Sequence, residues 1–269
     1  MSFRGEFDEA LVAADRVFAD VPRAGRLDGC TSCYSEEELI LLDGGGDPAE
    51  VGDDLVRRFA EEGIDHWDEG EYQAAWRRLA ARIFRLLESV EVTVDPGLLL
   101  RGLGYSCNDI GTWPEREREA ALRVLGAALD LWLVDGRDPD AVVELLGALA
   151  HVYDDIGPWF ARIDAVAASG EAAEAGLVRL AASWAVDVSW GDEPVWWWYP
   201  GDPLGLARDW LCSDSVQARL IAFLERNPAC KNAADALAAT RALAAGEHSP
   251  WLYPDTWPPR AAGRKLRLV

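Results

Sequence analysis

The sequence predicts an all-α protein made of antiparallel helix pairs behind a loop-rich N-terminal segment. Three observations carry this reading. Apolar residues recur at helical spacing along most of the 269 residues. Only one short stretch, Glu91-Val92-Thr93-Val94, alternates as a strand does, and no second such run exists for a sheet to grow from. A turn signature also repeats. Asp95-Pro96 leads to Asn108-Asp109-Ile110-Gly111-Thr112-Trp113, and Asp138-Pro139 leads to Asp154-Asp155-Ile156-Gly157-Pro158-Trp159. A degenerate copy precedes them, from Asp47-Pro48 to Asp65-His66-Trp67.

The first element is a helix over 7–21, with Phe7, Leu11, Ala14, Phe18 and Val21 on one face and Pro22 at its end. Residues 22–54 read as loop, punctuated by Gly25, Gly29, Gly44-Gly45-Gly46 and Pro48, with one helical turn around 36–42. Over 73–90, Trp76, Leu79, Ile83, Leu86, Leu87 and Val90 form an apolar stripe beside Arg77, Arg78, Arg82 and Arg85. Helical periodicity resumes at 96–105, 115–134, 140–153, 159–168 and 174–188. Residues 189–203 break the pattern with Trp190, Trp196-Trp197-Trp198-Tyr199 and three prolines. Helices follow at 204–212, 215–226 and 228–245, the last with Asn227 as N-cap and Pro228 in first position. The chain thus divides into 1–72, a repeat core 73–188, a Trp-rich loop with C-terminal helices 189–245, and a tail 246–269 that ends basic.

Turn chemistry accounts for much of the repeated signature. Gly111 and Gly157 suit the positive φ that ends many helices, Pro114 and Pro158 suit the first turn of the next, and Thr112 with Glu115 matches a capping box. Trp113 and Trp159 are expected to wedge between helix pairs. The Asp-Pro starts lie 48 and 43 residues apart, a spacing that resembles the roughly 40–47 residue period of HEAT and armadillo units. That resemblance implies a HEAT-like stack with a long concave binding surface. The segment from Phe18 to Arg23 and on through Cys30 and Cys33 resembles a stretch of uncharacterised bacterial proteins; it covers about a tenth of the chain and carries no activity across.

The formal charge is −21, and residues 36–71 hold 14 Asp and Glu against Arg57 and Arg58 alone, a net −12. Such a field repels nucleic acid and anionic lipid and attracts basic proteins or cations. No apolar run is long enough to span a bilayer, since Ala120 to Val134 contains Arg123 and Asp130. The N-terminus has no apolar signal core, and the five cysteines are odd in number, so a cytoplasmic protein with reduced thiols is expected.

Among chemistry-bearing residues, Cys30-Thr31-Ser32-Cys33 can supply half of a tetrahedral zinc site, with His66 the nearest candidate to extend it; Cys107, Cys212 and Cys230 stand alone. His66, flanked by Asp65 and Asp68, is a candidate protonation switch, whereas His151 lies in an apolar helix and reads as core. Asn108, Asp109 and Thr112 match the start of a terpene-synthase magnesium motif. Arg116 occupies its final Glu position, Pro158 stands where the aspartate-rich motif needs its last acid, and the motif order is reversed, so that site is set aside. No nucleophile elbow, phosphate loop or zincin motif occurs.

The expectation is therefore a non-enzymatic interaction protein, of the immunity, antitoxin-like or adaptor kind. It would engage a basic protein through Glu61, Glu62, Asp68, Glu69, Asp109 and Asp155, with Trp196, Trp197 and Trp198 as an aromatic hot spot. The alternative is a metal-binding module or metal-dependent enzyme centred on Cys30, Cys33 and His66, with zinc as the metal.

Overall fold

The computed structural model describes residues 2–22, 25, 27–43, 48–88, 95–105, 108–153, 156–190 and 203–246. Among these the chain forms twelve α-helices and no strand: α1 Phe3–Phe18, α2 Glu36–Asp43, α3 Asp53–Glu61, α4 Glu69–Leu86, α5 Pro96–Leu100, α6 Glu115–Asp135, α7 Pro139–Tyr153, α8 Gly157–Ala167, α9 Glu171–Trp190, α10 Pro203–Leu211, α11 Asp214–Arg226 and α12 Lys231–Ala244. The all-α class follows directly. None of these helices is long and apolar enough to cross a membrane.

Helix α6 is the axis. Every residue from Val124 to Leu133 is buried, so this stretch meets protein on all sides. Helix α1 packs along it, joined by α4, while α7, α8 and α9 pack on other faces. Helix α9 then carries α10, α11 and α12. The core is one cluster running from Phe7 to Ala236, so the segments 1–72, 73–188 and 189–245 share it where they are described. The approach of α9 to α6 depends on Gly176, where a Cβ would stand 1.8 Å from the Leu133 carbonyl oxygen.

Two carboxylates lie inside the α6 packing, and each is neutralised by an arginine from another helix. Arg162 of α8 donates two hydrogen bonds of 2.6 Å to Asp130, and Arg77 of α4 donates bonds of 2.7 and 2.8 Å to Glu117. Without such pairs a buried charge costs several kcal/mol. Burial pushes the Asp130 carboxyl up, with Arg162 opposing it.

Both clear Asp-Pro copies cap helices. Asp95 accepts from the Gly97 and Leu98 amides at the start of α5, and Asp138 accepts from the Asp140 amide at the start of α7. Trp113 and Trp159 are buried. Trp113 packs edge-on to Phe18, with ring centroids 6.1 Å apart, and lies 5.7 Å from Trp76, so it fills the join of α1 and α4. The Trp159 indole donates to the Leu149 carbonyl at 3.0 Å.

Several local expectations are corrected. Positive φ occurs at Gly25, Gly136 and Gly246 among the described residues, not at Gly111 or Gly157. Gly111 instead lies in a 3-10 turn that closes onto the Asp109 carboxylate, and Gly157 is already the first residue of α8. The Thr112–Glu115 capping box does not form, because Thr112 donates to the Asp109 carbonyl and Pro114 holds the N-cap position. Asn227 ends α11 and does not start α12, whose N-cap is Cys230. Helix α3 falls in a stretch where the sequence reading placed no helix. Residues 91–94 lie outside the described residues.

Helix α7 contains an unusual acid. Burial, and then the negative Asp95 and Asp140 nearby, push the Glu144 carboxyl from its ordinary 4.5 to about 7. The folded chain keeps this proton over a range where the unfolded chain has lost it. The cost of an ionised Glu144 is therefore absent below about pH 4.5 and complete above about pH 7. Glu144→Gln is expected to raise the denaturation midpoint at pH 8 and to leave it unchanged at pH 4.5; urea melts at the two pH values check this.

Candidate metal centre

The cysteine pair sits in a tight turn built by its own backbone. The Cys33 and Tyr34 amides both donate to the Cys30 carbonyl at 3.0 Å, so the chain doubles back and brings the two thiols to one side. The Cys30 amide donates to the His66 carbonyl, also at 3.0 Å, which ties this turn to the 3-10 turn Ile64–His66 between α3 and α4. A further bond, from the Asp28 amide to a Glu71 carboxylate oxygen at 3.2 Å, fixes the approach of the segment to α4.

Side chains lock this arrangement from below. Trp67, which follows His66, is buried with its ring 5.0 Å from Tyr34 and 5.2 Å from Phe59. Gly29 lies directly on the indole, where a Cβ would come within 2.4 Å of a ring carbon. The glycine before the pair is thus needed for close approach. Arg58 of α3 covers the Tyr34 ring with its guanidinium 4.8 Å from the centroid and bonds Glu38 at 2.5 Å. Glu38 and Ser35 in turn exchange bonds of 2.8 and 3.2 Å in a capping box that starts α2 immediately after the thiol turn.

The result is that Cys30, Cys33 and His66 present ligand atoms all within 4.8 Å of one another, with all three residues partly exposed. Cys33 Sγ is 3.3 Å from His66 Nδ1. A tetrahedral zinc with Zn–S about 2.3 Å and Zn–N about 2.0–2.1 Å places its ligand atoms roughly 3.5–3.8 Å apart, so the Cys33–His66 gap opens by a few tenths of an ångström and the wider gaps close by about 1 Å or less. Two sulfurs and one imidazole are a donor set that prefers zinc over hard cations.

The electrostatics agree with thiolate ligation. Hydrogen bonding from His66, then from Cys33, then from the Ser32 and Cys33 amides, lowers the Cys30 thiol from 9.0 to about 7. Sharing its proton with Cys30 raises Cys33, and the Cys30 sulfur raises His66. The contact within hydrogen-bond distance is with Cys33, while the negative charge settles on Cys30. Both sulfurs therefore address the imidazole. The switch expected at His66 from Asp65 and Asp68 has a different leading cause, the Cys30 sulfur, with Glu62 and Asp65 adding to it.

The acidic candidates separate into different roles. Glu61 is half-buried on α3, and burial pushes its carboxyl up. Glu62 closes α3 beside the thiol turn, and its Oε2 atom is buried. Asp68 caps α4 by accepting from the Gly70 amide at 3.0 Å and remains exposed, as does Glu69. Asp109 is exposed but spends one oxygen on the Gly111 amide at 2.7 Å, while neighbouring Asn108 points inward to the Gly102 carbonyl. Those two therefore do not converge on a magnesium ion. Asp155, Trp196, Trp197, Trp198, Cys107 and His248 lie outside the described residues. His151 is half-buried over Gly104, and Cys212 donates to the Thr240 carbonyl far from the thiol pair in sequence.

Sequence reasoning missed Gly29, Tyr34 and the Ser35–Glu38 capping box as supports of the site. The Ser-x-x-Glu spacing was present to find the last. Comparison with family models, with curated proteins and with solved structures gives no match.

In metal-free protein, the lowered thiol predicts that alkylation of Cys30 reaches half its maximal rate near pH 7, while Cys33, raised by its contact with Cys30, needs a higher pH than an ordinary thiol. Peptide mapping after short iodoacetamide pulses from pH 5 to 10 checks the order. Equal titration of the two thiols near pH 9 would contradict the hydrogen bonding described.

Proposed function

We propose that this chain is a zinc-dependent interaction protein, in which Cys30, Cys33 and His66 hold one Zn²⁺ that staples the N-terminal thiol turn to the junction of α3 and α4. The observation that carries this reading is the convergence of three soft donors, separated by 33 to 36 residues between the pair and His66, on one partly exposed point. Local charge supports it. Asp65, Asp68 and Glu69 are exposed around the site, so the field favours a divalent cation over a bare thiolate nucleophile.

The zinc would act through shape. The acidic run 36–71 spans α2, α3 and the start of α4, and α3 packs on α4 and α5. Some of that charge is internally matched, as Arg82 of α4 bonds Asp53 at 2.5 Å and Arg58 bonds Glu38. Glu36, Glu37, Asp65, Asp68 and Glu69 stay exposed and form the surface offered to a basic protein partner. Holding the thiol turn against Trp67 keeps that surface in one arrangement.

The test is metal content and its linkage to stability. Chain purified without chelator is expected to carry about one zinc per molecule, and Cys30→Ser or Cys33→Ser to carry none. Free zinc at about a thousand times Kd stabilises a folded state by about 4 kcal/mol, which raises the melting temperature by several degrees. A wild-type chain that melts identically with zinc and with EDTA, and that retains no metal, overturns the reading.

A further inference from the structure

We infer that Cys30 and Cys33 form a reversible disulfide when the chain meets a peroxide, and that forming it releases the zinc ion they hold with His66. This inference rests on the zinc reading and names how the same site is regulated. The modifying reagent is a small peroxide.

Three features of the thiol turn carry the inference. The first is the backbone. The Cys33 amide donates to the Cys30 carbonyl at 3.0 Å, the i to i+3 bond of a turn. Such a turn holds its end Cα atoms less than about 7 Å apart, and a disulfide needs roughly 4.4–6.8 Å, so the backbone already stands at bridging distance. The second is the sulfurs, which are free thiols within 4.8 Å of each other. Rotation about the two Cα–Cβ bonds brings them to bonding distance. The third is access. Both cysteines are partly exposed, and Thr31 and Ser32 between them are exposed, so a small oxidant reaches the sulfurs from solvent.

The chemistry balances with the peroxide as the only co-reactant. One thiolate attacks a peroxide oxygen; an S–O bond forms, the O–O bond breaks and hydroxide leaves. The second thiolate attacks the resulting sulfenic sulfur; the S–S bond forms, the S–O bond breaks and a second hydroxide leaves. Two protons from solvent turn both hydroxides into water. The two sulfurs lose two electrons, the peroxide gains them, and Zn²⁺ keeps its charge.

A bridged pair cannot stay on the ion. Zinc takes thiolate sulfur, and the disulfide has no thiolate to offer, so His66 alone of the three donors remains. The bridge does not replace the staple either. It closes a ring inside residues 30–33, whereas zinc ties that turn to His66, 33 to 36 residues on. What then holds the turn is the bond from the Cys30 amide to the His66 carbonyl and the seat of Gly29 on the Trp67 ring. Oxidation therefore leaves the helices in place and loosens the tie between the thiol turn and the junction of α3 and α4, next to exposed Asp65, Asp68 and Glu69. The surface offered to a basic partner thereby becomes sensitive to peroxide.

The experiment treats the full zinc-loaded chain with hydrogen peroxide and follows two readouts. One is zinc released to a chromogenic chelator; the other is the mass of the proteolytic peptide that carries both cysteines, mapped without reductant. Zinc release and a peptide lighter by two hydrogens are expected to rise together, ending at about one zinc per disulfide. Dithiothreitol followed by zinc is expected to restore both the peptide mass and the metal. Cys33→Ser is expected to stop at a sulfenic acid on Cys30 that dimedone traps, and wild-type chain stripped of metal is expected to form the same disulfide. A peptide that stays reduced, or one that gains oxygen without losing two hydrogens and does not revert, overturns the switch; zinc retained by the untreated chain then leaves the three-donor reading standing. A chain that carries no zinc but forms the disulfide overturns the zinc reading and the release step, and supports the pair as the site of oxidation.

Discussion

Everything in this molecule leans on a helix that is buried all round. From Val124 to Leu133, α6 exposes no face, and the chain can tolerate that only because its two internal carboxylates are matched by arginines arriving from α4 and α8. The arginines do more than neutralise. Bidentate pairing fixes the rotation of α6 about its own axis relative to both partners, which in turn sets where α1 and α9 can dock. Gly176 sharpens the constraint, since α9 reaches the α6 backbone at Leu133 more closely than any side chain would permit.

The Cys30–Cys33–His66 cluster lies at the far end of this chain of dependence. Helix α4 is placed by its packing on α1 and by Arg77, and its N-terminal end, capped by Asp68, sets Trp67 and His66. Trp67 is clamped by Tyr34, Phe59 and Gly29, and only then do the thiol turn and the imidazole face each other. The site is therefore largely arranged by backbone bonds and aromatic packing. Metal ligation would add a bond between elements far apart in sequence, joining the thiol turn at 30–33 to the turn Ile64–His66. Small packing units of this kind gain most from a metal staple.

Helical periodicity made most elements legible, because apolar spacing is a property of sequence that packing must obey. The predicted helices over 7–21, 115–134 and 140–153 correspond to Phe3–Phe18, Glu115–Asp135 and Pro139–Tyr153. Ends were less legible, since they depend on which side chain wins a given amide. Asp109 takes the Gly111 amide, so the Thr112–Glu115 box has no role, and Asn227 closes a helix when its position before Pro228 read as an opening. Helix α3 keeps helical spacing at Val56, Phe59 and Ala60, but it spans nine residues and its start falls in the stretch that read as loop because of its glycines and Pro48. The site was half legible. The Cys pair and His66 were visible as residue types, but their meeting at one point, 33 to 36 residues apart in sequence, is a tertiary fact that residue counting cannot reveal.

These relations converge on a single claim, that soft donors from two distant stretches meet at one zinc ion. X-ray absorption at the zinc edge of the purified, zinc-loaded chain measures that claim at the metal itself. The account predicts two sulfur neighbours at about 2.3 Å and two nitrogen or oxygen neighbours at about 2.0–2.2 Å, with the outer-shell scattering of one imidazole. A shell of six oxygen and nitrogen neighbours without sulfur would contradict it, and would return the thiol pair to an incidental part of the N-terminal turn.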